Sequence, residues 1–398
     1  MELSERALTI QASPIRRLTP LLLEAKKRGI VVHHLNIGQP DIETPKVFWD
    51  AIKSYDEKVL AYGLSDGLPE LKSAVVDYFA RYNITLRQSD IQVTTAGSEA
   101  ILYSMCLVTD PGDEIIVFEP FYTNYNGFGT TAGIKVVPIT TKAEEGFVLP
   151  DVSEIEKKIT SKTRAFLVCS PNNPTGHILT PDEMDKIAYL AKKHDLFILS
   201  DEVYREFTYE GEKSTSFLEI KGIEDRVIVG DSISKRFSAC GARVGFIISK
   251  NPEVMSAALK FAQARLCPPT LEQVGALAAY KMDPSYFDPI RKEYQARRDA
   301  LYETLKTNPE IVVKKPQGAF YMMAKLPVED SDAFAAFLLR DFSYEGETTM
   351  VAPGDGFYAT KGLGRDEIRL AYVLNVERTK RAAEILLKGL QEFKRKIK

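Results

Sequence analysis

The chain contains 398 residues, of which 44% are hydrophobic and 27% are charged, and its formal net charge is −3. This length exceeds what one ordinary core accommodates, so we expect two domains, or one large domain with a lid. The near-balanced charge argues against nucleic acid as a partner. No apolar run approaches the roughly 20 residues that a membrane span needs, so we expect no membrane association either.

The cysteines and the first residues of the chain indicate a compartment. Cys106, Cys169, Cys240 and Cys267 show no CxxC spacing, which argues against a zinc site and against a disulfide scaffold. The opening stretch MELSERALTIQASPIRRL lacks the apolar segment of a signal peptide. We therefore expect a soluble protein of the reducing cytoplasm that binds no metal.

Seven short segments rich in β-branched and aromatic residues are predicted strands. In chain order they are DIQVTTAG, DEIIVFEP, IKVVPI, TRAFLVCS, LFILSDE, RVIVGDSIS and GFIIS. Helical patterns separate several of them, and one, TPDEMDKIAYLAKKHD, opens with Thr180 as the N-cap and Pro181 at the first helical position. Strands and helices in alternation predict an α/β fold with a mostly parallel sheet covered on both faces.

The last part of the chain predicts a second, smaller α+β unit. A long charged helical pattern, IRKEYQARRDALYETLKTN, leads to GAFYMMAKLP, DAFAAFLLRDF, EIRLAYVL and a closing helix, VERTKRAAEILLKGLQEFKRK. The amphipathic segment SPIRRLTPLLLEAKKRG near the N-terminus is expected to pack on this unit or on a partner subunit. We place the large domain at residues 46–285, and the N-terminal arm with the small domain at residues 1–45 and 286–398.

Polar residues follow several predicted strands, at the edge of the sheet where α/β proteins bind ligands. Gly97, Ser98 and Glu99 open a helix after the first strand, where backbone N–H groups and the helix dipole favour a phosphate. Ser232 and Arg243 add a hydroxyl and a guanidinium for the same anion.

Other residues at this edge match a flat, charged ring. Asp201, at a strand end, can hold a protonated ring nitrogen, and Tyr122 offers a face for stacking. Asn173 and Tyr204 can hydrogen-bond a phenolic oxygen. Lys235, set among small residues in SISKRFSACGARVG, can form a Schiff base with an aldehyde. Phosphate, pyridinium, phenolate and aldehyde together describe pyridoxal 5′-phosphate.

These residues lie within motifs of a known family. SISKRFSACGARVG matches the lysine signature of the class I/II aminotransferases at every constrained position. NIGQPDIETP, YGLSDGLPELKSAV, SPNNPTG, SDEVY and IRLAY occur in that family's order and at its spacing. The chain thus resembles a fold-type-I pyridoxal-phosphate enzyme nearly from end to end. The resemblance implies a homodimer with shared active sites that moves an amino group from an L-amino acid to a 2-oxo acid, 2-oxoglutarate by default, in a ping-pong mechanism.

The resemblance also implies roles for individual residues around the cofactor ring. Lys235 would hold the cofactor and then carry the proton at the reacting carbon. Asp201 would keep the pyridine nitrogen protonated. Asn173 and Tyr204 would bond the phenolate oxygen, and Tyr122 would stack on the ring.

Further residues would contact the phosphate and the substrate. The residues expected to line the phosphate are Gly97, Ser98, Glu99, Ser232 and Arg243. Tyr62 of the other subunit would reach the same phosphate. Arg369 would bind the substrate α-carboxylate, with Gly38 and Asn173 assisting.

Several of these residues also have an ordinary structural interpretation. Asp201 can cap a following helix, and Asn173 can serve the turn of NNPTG. Arg369 can pair with a carboxylate of its own sheet. Tyr125 competes with Tyr122 for the face of the ring.

The amino donor is left open by the sequence. A bacterial subgroup that the chain otherwise resembles has a lysine at the position of Ser98, which argues against simple aspartate specificity. Arg265 lies where the neighbouring subunit's pocket wall is expected, so it is either a reader of a distal carboxylate or a surface residue. A β-eliminating carbon–sulfur lyase is the alternative enzyme on this fold. A non-catalytic effector domain is disfavoured, because the sequence lacks a basic DNA-binding segment.

Overall fold

The computed structural model describes residues 1–397, which form fourteen α-helices and thirteen strands. The strands are β1 Val31–His34, β2 Ile91–Thr95, β3 Glu114–Glu119, β4 Lys135–Thr140, β5 Thr163–Cys169, β6 Phe197–Asp201, β7 Val227–Ser232, β8 Val244–Ile248, β9 Val312–Val313, β10 Tyr321–Lys325, β11 Glu347–Met350, β12 Ala352–Pro353 and β13 Glu367–Ala371. The helices are α1 Glu5–Thr9, α2 Thr19–Lys27, α3 Lys46–Lys53, α4 Pro69–Ala80, α5 Ala96–Val108, α6 Asn124–Ala132, α7 Val152–Glu156, α8 Pro181–Lys193, α9 Ile233–Arg236, α10 Pro252–Arg265, α11 Thr270–Tyr280, α12 Phe287–Lys306, α13 Ser331–Arg340 and α14 Val376–Ile397.

The large sheet contains all seven predicted strands, in the order β2-β8-β7-β6-β5-β3-β4. Strand β8 runs antiparallel to β2 and β7, and the other neighbours are parallel. Every residue of β3 and of β7 is buried, because helices cover both faces. The predicted α/β fold with a mostly parallel, mixed sheet is confirmed.

The connection into α8 shows how local sequence sets an element boundary. The Thr180 hydroxyl accepts a hydrogen bond from the Glu183 amide, and the Glu183 carboxylate accepts one from the Thr180 amide. Pro181 occupies the first helical position. This capping box satisfies two N–H groups that the helix cannot pair, as the sequence predicted.

The smaller unit contains a four-stranded antiparallel sheet, β12-β13-β10-β9, and a parallel pair of β1 with β11. The N-terminal arm packs on this unit, because β1 pairs with β11 and α2 contacts α13. Its core joins residues of the arm, such as Leu18 and Leu35, to α12, α13 and α14. The sequence left open whether the arm packs on the small unit or on a partner subunit, and the structure shows that it packs on the small unit. The domain limits at residues 45 and 285 stay a prediction.

No helix within residues 1–397 is long and apolar enough to cross a membrane.

Candidate active site

A cavity of about 520 Å³ opens at the carboxyl ends of β5, β6 and β7, a volume typical of small-molecule sites. The large sheet, the N-terminal arm and the small antiparallel sheet all contribute to its wall. The charged side chains that line it, among those that the structure describes, are Arg16, Asp201, Lys235, Arg243 and Arg369. The wall therefore carries four basic groups and one acidic group.

Lys235 lies on α9, a single turn that begins directly after β7. The Ser232 hydroxyl caps this turn by accepting from the amide of Ser234. The Lys235 Nζ donates to the Gly38 carbonyl over 2.9 Å and lies 3.7 Å from the Cys240 sulfur. No carboxylate within residues 1–397 forms an ion pair with this amine, so it faces the cavity free of a competing anion.

Asp201 is the last residue of β6 and is buried at the base of the cavity. Burial raises the pKa of its carboxyl to about 6, although hydrogen bonds from the Tyr125 hydroxyl, at 2.7 Å, and the Val203 amide oppose the shift. A turn, and not a helix, follows at residues 203–206, so Asp201 caps no helix there. Tyr125 lies behind the carboxylate and outside the lining, whereas Tyr122 lines the cavity.

Three hydroxyl and amide groups form a chain across the cavity. The Asn173 amide nitrogen lies 3.4 Å from the Tyr204 hydroxyl, which lies 2.9 Å from the hydroxyl of Tyr321. Burial raises the pKa of Tyr204 well above its ordinary value, so its hydroxyl stays protonated and can donate. Gly38 is required beside this chain, because an added Cβ would lie 1.8 Å from the Tyr321 oxygen.

Arg369 projects from β13 and is buried in the cavity wall. Its Nη2 donates to the Asn36 carbonyl over 2.6 Å, and its Nη1 donates to the Asn173 side-chain oxygen over 3.2 Å. The Nε has no partner, and burial lowers the pKa of the guanidinium. In the described part of the chain no carboxylate pairs with Arg369, so the ordinary ion pair considered from the sequence does not form. A buried cation without an anion is a site for an anionic ligand.

Another part of the cavity lining provides donors for a second anion. Gly97 and Ser98 lie in the first turn of α5, where amide N–H groups have no partner within the helix. Arg243 has a left-handed φ of 56° and its Nη1 donates to the Cys240 carbonyl. Gly245 is required here, because its Cβ would lie 2.3 Å from the carbonyl carbon of Ala96. The Ser98 hydroxyl, the Arg243 guanidinium and the free amide groups of the first turn of α5 are together suited to bind a phosphate.

Three predicted site residues do not line this chain's own cavity. The Glu99 carboxylate accepts from the Thr95 amide and lies 3.3 Å from the Arg265 Nε, so it is turned away from the cavity. The Arg265 guanidinium also donates to three backbone carbonyls, those of Ser65, Val93 and Leu266. Tyr62 is 81% exposed. Roles for Tyr62 and Arg265 in a neighbouring subunit's site stay predictions.

Sequence reasoning missed Tyr321, Tyr125 as a partner of Asp201, Cys240 and Arg16. Cys240 lies in the same stretch, SISKRFSACGARVG, as Lys235, so the sequence itself could have indicated that the two residues are close. Tyr321 and Arg16 come from the small sheet and the N-terminal arm, and only the folded chain brings them to Lys235.

Comparison with known proteins agrees with this geometry. The family model of aminotransferase class I and II matches residues 31–386. The chain is 33% identical to an aspartate aminotransferase of Sulfurisphaera tokodaii, over 92% of this chain and 91% of the relative. It is 32% identical to aromatic-amino-acid aminotransferase 2 of Thermococcus litoralis, over 99% of this chain and 100% of the relative.

A solved structure gives the same result for the fold. The alanine aminotransferase from Pyrococcus furiosus superposes with a TM-score of 0.89 and 33% identity, over 98% of this chain and 100% of that one. Enzymes of this family use pyridoxal 5′-phosphate, and the phosphate donors together with Asp201, Asn173 and Tyr204 fit that cofactor. The chain therefore belongs to the aminotransferase class I and II family and is a pyridoxal-phosphate-dependent aminotransferase.

Proposed function

We propose that the protein transfers the amino group of an L-amino acid to a 2-oxo acid, with 2-oxoglutarate as the acceptor, in a ping-pong reaction with the cofactor held on Lys235 as a Schiff base. One observation carries this proposal. Among the described residues, the same cavity contains a lysine amine without a carboxylate partner and the buried guanidinium of Arg369, which forms no ion pair and whose Nε has no hydrogen-bond partner. The amine provides an attachment point for an aldehyde, and the guanidinium binds a substrate carboxylate.

The wall of the cavity offers a partner for each polar group of the cofactor. Asp201 would pair with the pyridine N–H, and Asn173 and Tyr204 would bond the phenolic oxygen. The phosphate would be bound at Gly97, Ser98, Ser232 and Arg243, and Tyr122 would stack on the ring. When bound, the cofactor supplies the electron sink that makes the substrate Cα proton acidic.

The chain's own residues orient the substrate and move the proton. Arg369 would bind the α-carboxylate through its free Nε and its Nη groups, which turns the substrate Cα towards Lys235. The Lys235 Nζ would remove and return the Cα proton as general base and acid. Asn173 contacts both Arg369 and Tyr204, so it links the carboxylate site to the ring site.

A homodimer with shared active sites is part of the proposal. The segment around Tyr62 exposes large apolar side chains, namely Val59 at 73%, Leu60 at 61% and Leu64 at 56%. Leu266, which is 50% exposed, extends this surface, since a Cβ on Gly63 would lie 3.9 Å from Cys267. An exposed apolar surface of this kind is typical of a subunit interface. In the dimer, Tyr62 would reach the partner's phosphate site.

The alternative carbon–sulfur lyase is not favoured, because each relative named above is an aminotransferase. Their names differ in the amino donor, however: aspartate, aromatic amino acids and alanine. The donor of this chain therefore depends on its own pocket. The four cysteines are free, which supports a reducing compartment such as the cytoplasm.

A half-reaction tests the proposal. The cofactor-loaded protein is mixed with single amino acids and no 2-oxo acid, and the visible absorbance of the cofactor is followed. We expect the band to bleach with the release of one 2-oxo acid per site, and 2-oxoglutarate to restore it. Repeated release of pyruvate and ammonia without an acceptor would instead establish the lyase.

Lys235→Ala provides the residue-level test of the same proposal. We expect turnover to fall by at least about 10²–10⁴-fold, the usual contribution of a positioned acid–base group. Lys281→Ala, at an exposed lysine after α11, is the matched control and should keep normal turnover. Normal turnover in Lys235→Ala would overturn the Schiff-base assignment.

A further inference from the structure

Arg16 is the one charged group lining the cavity, in the part of the chain described, that has no role in the proposed function. Asp201, Lys235, Arg243 and Arg369 are assigned to the ring, the aldehyde, the phosphate and the α-carboxylate. Arg16 forms no ion pair and no side-chain hydrogen bond with any residue in the range 1–397. An unpaired guanidinium in a substrate cavity is available to bind an anion.

The chain holds Arg16 at the cavity by fixing the residues on either side. Pro14 is buried against Gly356, which has no room for a side chain because a Cβ there would lie 2.3 Å from the proline ring. Arg17 pairs with Asp355 over 2.6 Å and also with Asp332, both on the small unit. Two consecutive arginines thus have different surroundings, since Arg17 is bound in ion pairs and Arg16 lines the cavity.

The cavity that Arg16 lines also has apolar side chains in its wall. These include Ile15, Ile37 and Phe128, and the amide of Asn124 lies in the same lining. The acidic residue of the lining, Asp201, lies at the base of the cavity with the cofactor groups. The cavity therefore offers a substrate side chain both apolar surface and the cation of Arg16.

Arg265, the candidate from the sequence, is engaged elsewhere in its own chain. Its guanidinium donates to three backbone carbonyls and lies beside Glu99. These contacts use the groups that a substrate carboxylate would need. Arg16 has no such competitors.

We propose that Arg16 binds the distal carboxylate of dicarboxylic substrates and so favours aspartate- and glutamate-type donors, with 2-oxoglutarate as acceptor. This assignment rests on the proposed aminotransferase function. Arg16 is exposed, and the apolar residues of the same cavity lining also accept neutral side chains. Arg16 therefore adds affinity for acidic substrates without excluding neutral ones.

The test compares acidic and neutral donors in the half-reaction. In Arg16→Gln we expect kcat/KM for glutamate and aspartate to fall about 10- to 100-fold, the range of a charge-assisted hydrogen bond, and that for alanine and phenylalanine to stay within about twofold. Arg16→Lys keeps the charge and should recover part of the loss. Arg378→Gln is the control, because Arg378 is exposed and forms no ion pair within residues 1–397. It should change kcat/KM neither for the acidic nor for the neutral donors.

Binding of a non-reacting dicarboxylate gives a readout independent of turnover. Calorimetry with maleate should show a weaker Kd in Arg16→Gln by a similar factor, whereas the monocarboxylate propionate should bind both proteins equally. Equal losses for acidic and neutral donors, or no change in either, would overturn the assignment. So would a selective loss of acidic donors in Arg265→Gln and not in Arg16→Gln. If the unmodified protein transfers no amino group from any donor, the proposed function fails, and the maleate measurement still decides the role of Arg16.

Discussion

Asp201 couples the chemistry of the site to the stability of the protein. Burial raises the pKa of its carboxyl from 3.8 to about 6 in the cofactor-free chain. A carboxyl whose pKa rises on folding stabilises the protein fully below about pH 4, and this contribution is lost as the pH rises through about 6. The shift corresponds to about 3 kcal/mol. We expect Asp201→Asn to raise the free energy of unfolding of the cofactor-free protein by up to that amount at pH 8, and by less at pH 5, in urea titrations.

The control for this prediction is Asp185→Asn, on the exposed face of α8, which should change the free energy of unfolding by less than about 0.5 kcal/mol at both pH values. A gain in Asp201→Asn that did not depend on pH would contradict the prediction. The same variant should bind pyridoxal phosphate more weakly, because a neutral amide cannot pair with a pyridinium. A gain in stability together with a loss of cofactor affinity is expected for a residue that serves function at a cost to stability.

At the residue scale, the motifs of the sequence were sufficient to find residues that line one cavity. Lys235, Asp201, Asn173, Tyr204 and Arg369 were all singled out from quoted stretches, and the structure brings them to one cavity. The contacts between distant segments could not be predicted. The bond from Tyr125 to Asp201 spans 76 positions, and that between Tyr204 and Tyr321 spans 117. No local pattern encodes such distances.

The carboxylate of Glu183 stabilises the start of α8 through several hydrogen bonds. Glu183 is buried and accepts from the amides of Leu149 and Thr180 and from the His177 ring. Burial alone would raise the pKa of Glu183, but these bonds lower it to about 2. A depressed pKa means that Glu183 stabilises the fold above about pH 4.5 and that this contribution is lost as the pH falls towards 2. We expect Glu183→Gln to lower the free energy of unfolding at pH 7 by about 1–3 kcal/mol.

Asp182→Asn is the matched control, since Asp182 is exposed in the first turn of the same helix and forms no side-chain hydrogen bond or ion pair within residues 1–397, which leaves the helix dipole as its interaction. Its effect should not exceed about 1 kcal/mol, and much of that should disappear in high salt. If Asp182→Asn and Glu183→Gln were equally destabilising in denaturant titrations, the buried bonds of Glu183 would not be the source of the effect.

Elements with a strong local pattern were predicted well, and elements held by pairing were not. The seven strands of the large sheet and the cap of α8 follow from hydrophobic runs and turn residues. The two-residue strands β9 and β12 have no periodicity of their own and exist through their partners β10 and β13. The antiparallel direction of β8 could likewise not be predicted from the sequence, because hydrophobic periodicity does not indicate the direction of a neighbouring strand.

At the scale of the whole molecule, the cavity is a product of three separate parts of the chain. Strand β6 of the large sheet supplies Asp201 and the adjoining helix α9 supplies Lys235, the small sheet supplies Arg369, and the N-terminal arm supplies Arg16. Any movement of the small unit would therefore displace the two proposed carboxylate sites, Arg369 and Arg16, together relative to Lys235 and Asp201.

The exposed apolar surface at Val59, Leu60, Tyr62, Leu64 and Leu266 makes the dimer testable. We expect the protein to sediment as a dimer and Leu60→Asp to shift it to a monomer at micromolar concentration, because a charge at an apolar interface is desolvated without a partner. Since Tyr62 is proposed to reach the partner's phosphate, the monomer should also bind pyridoxal phosphate more weakly, by about 10-fold or more for one lost hydrogen bond to a charged group.

Leu23→Asp is the control for the dimer, because Leu23 is 54% exposed on α2, a helix that packs on α13 and β1 of the small unit. It should leave both sedimentation and cofactor affinity unchanged. Tyr62→Phe then separates the two roles of the surface, since it removes the hydroxyl and keeps the apolar ring. A dimer with weakened cofactor binding in Tyr62→Phe would show that the partner contributes to the site, whereas full affinity in both Tyr62→Phe and monomeric Leu60→Asp would show that each cavity is complete within one chain.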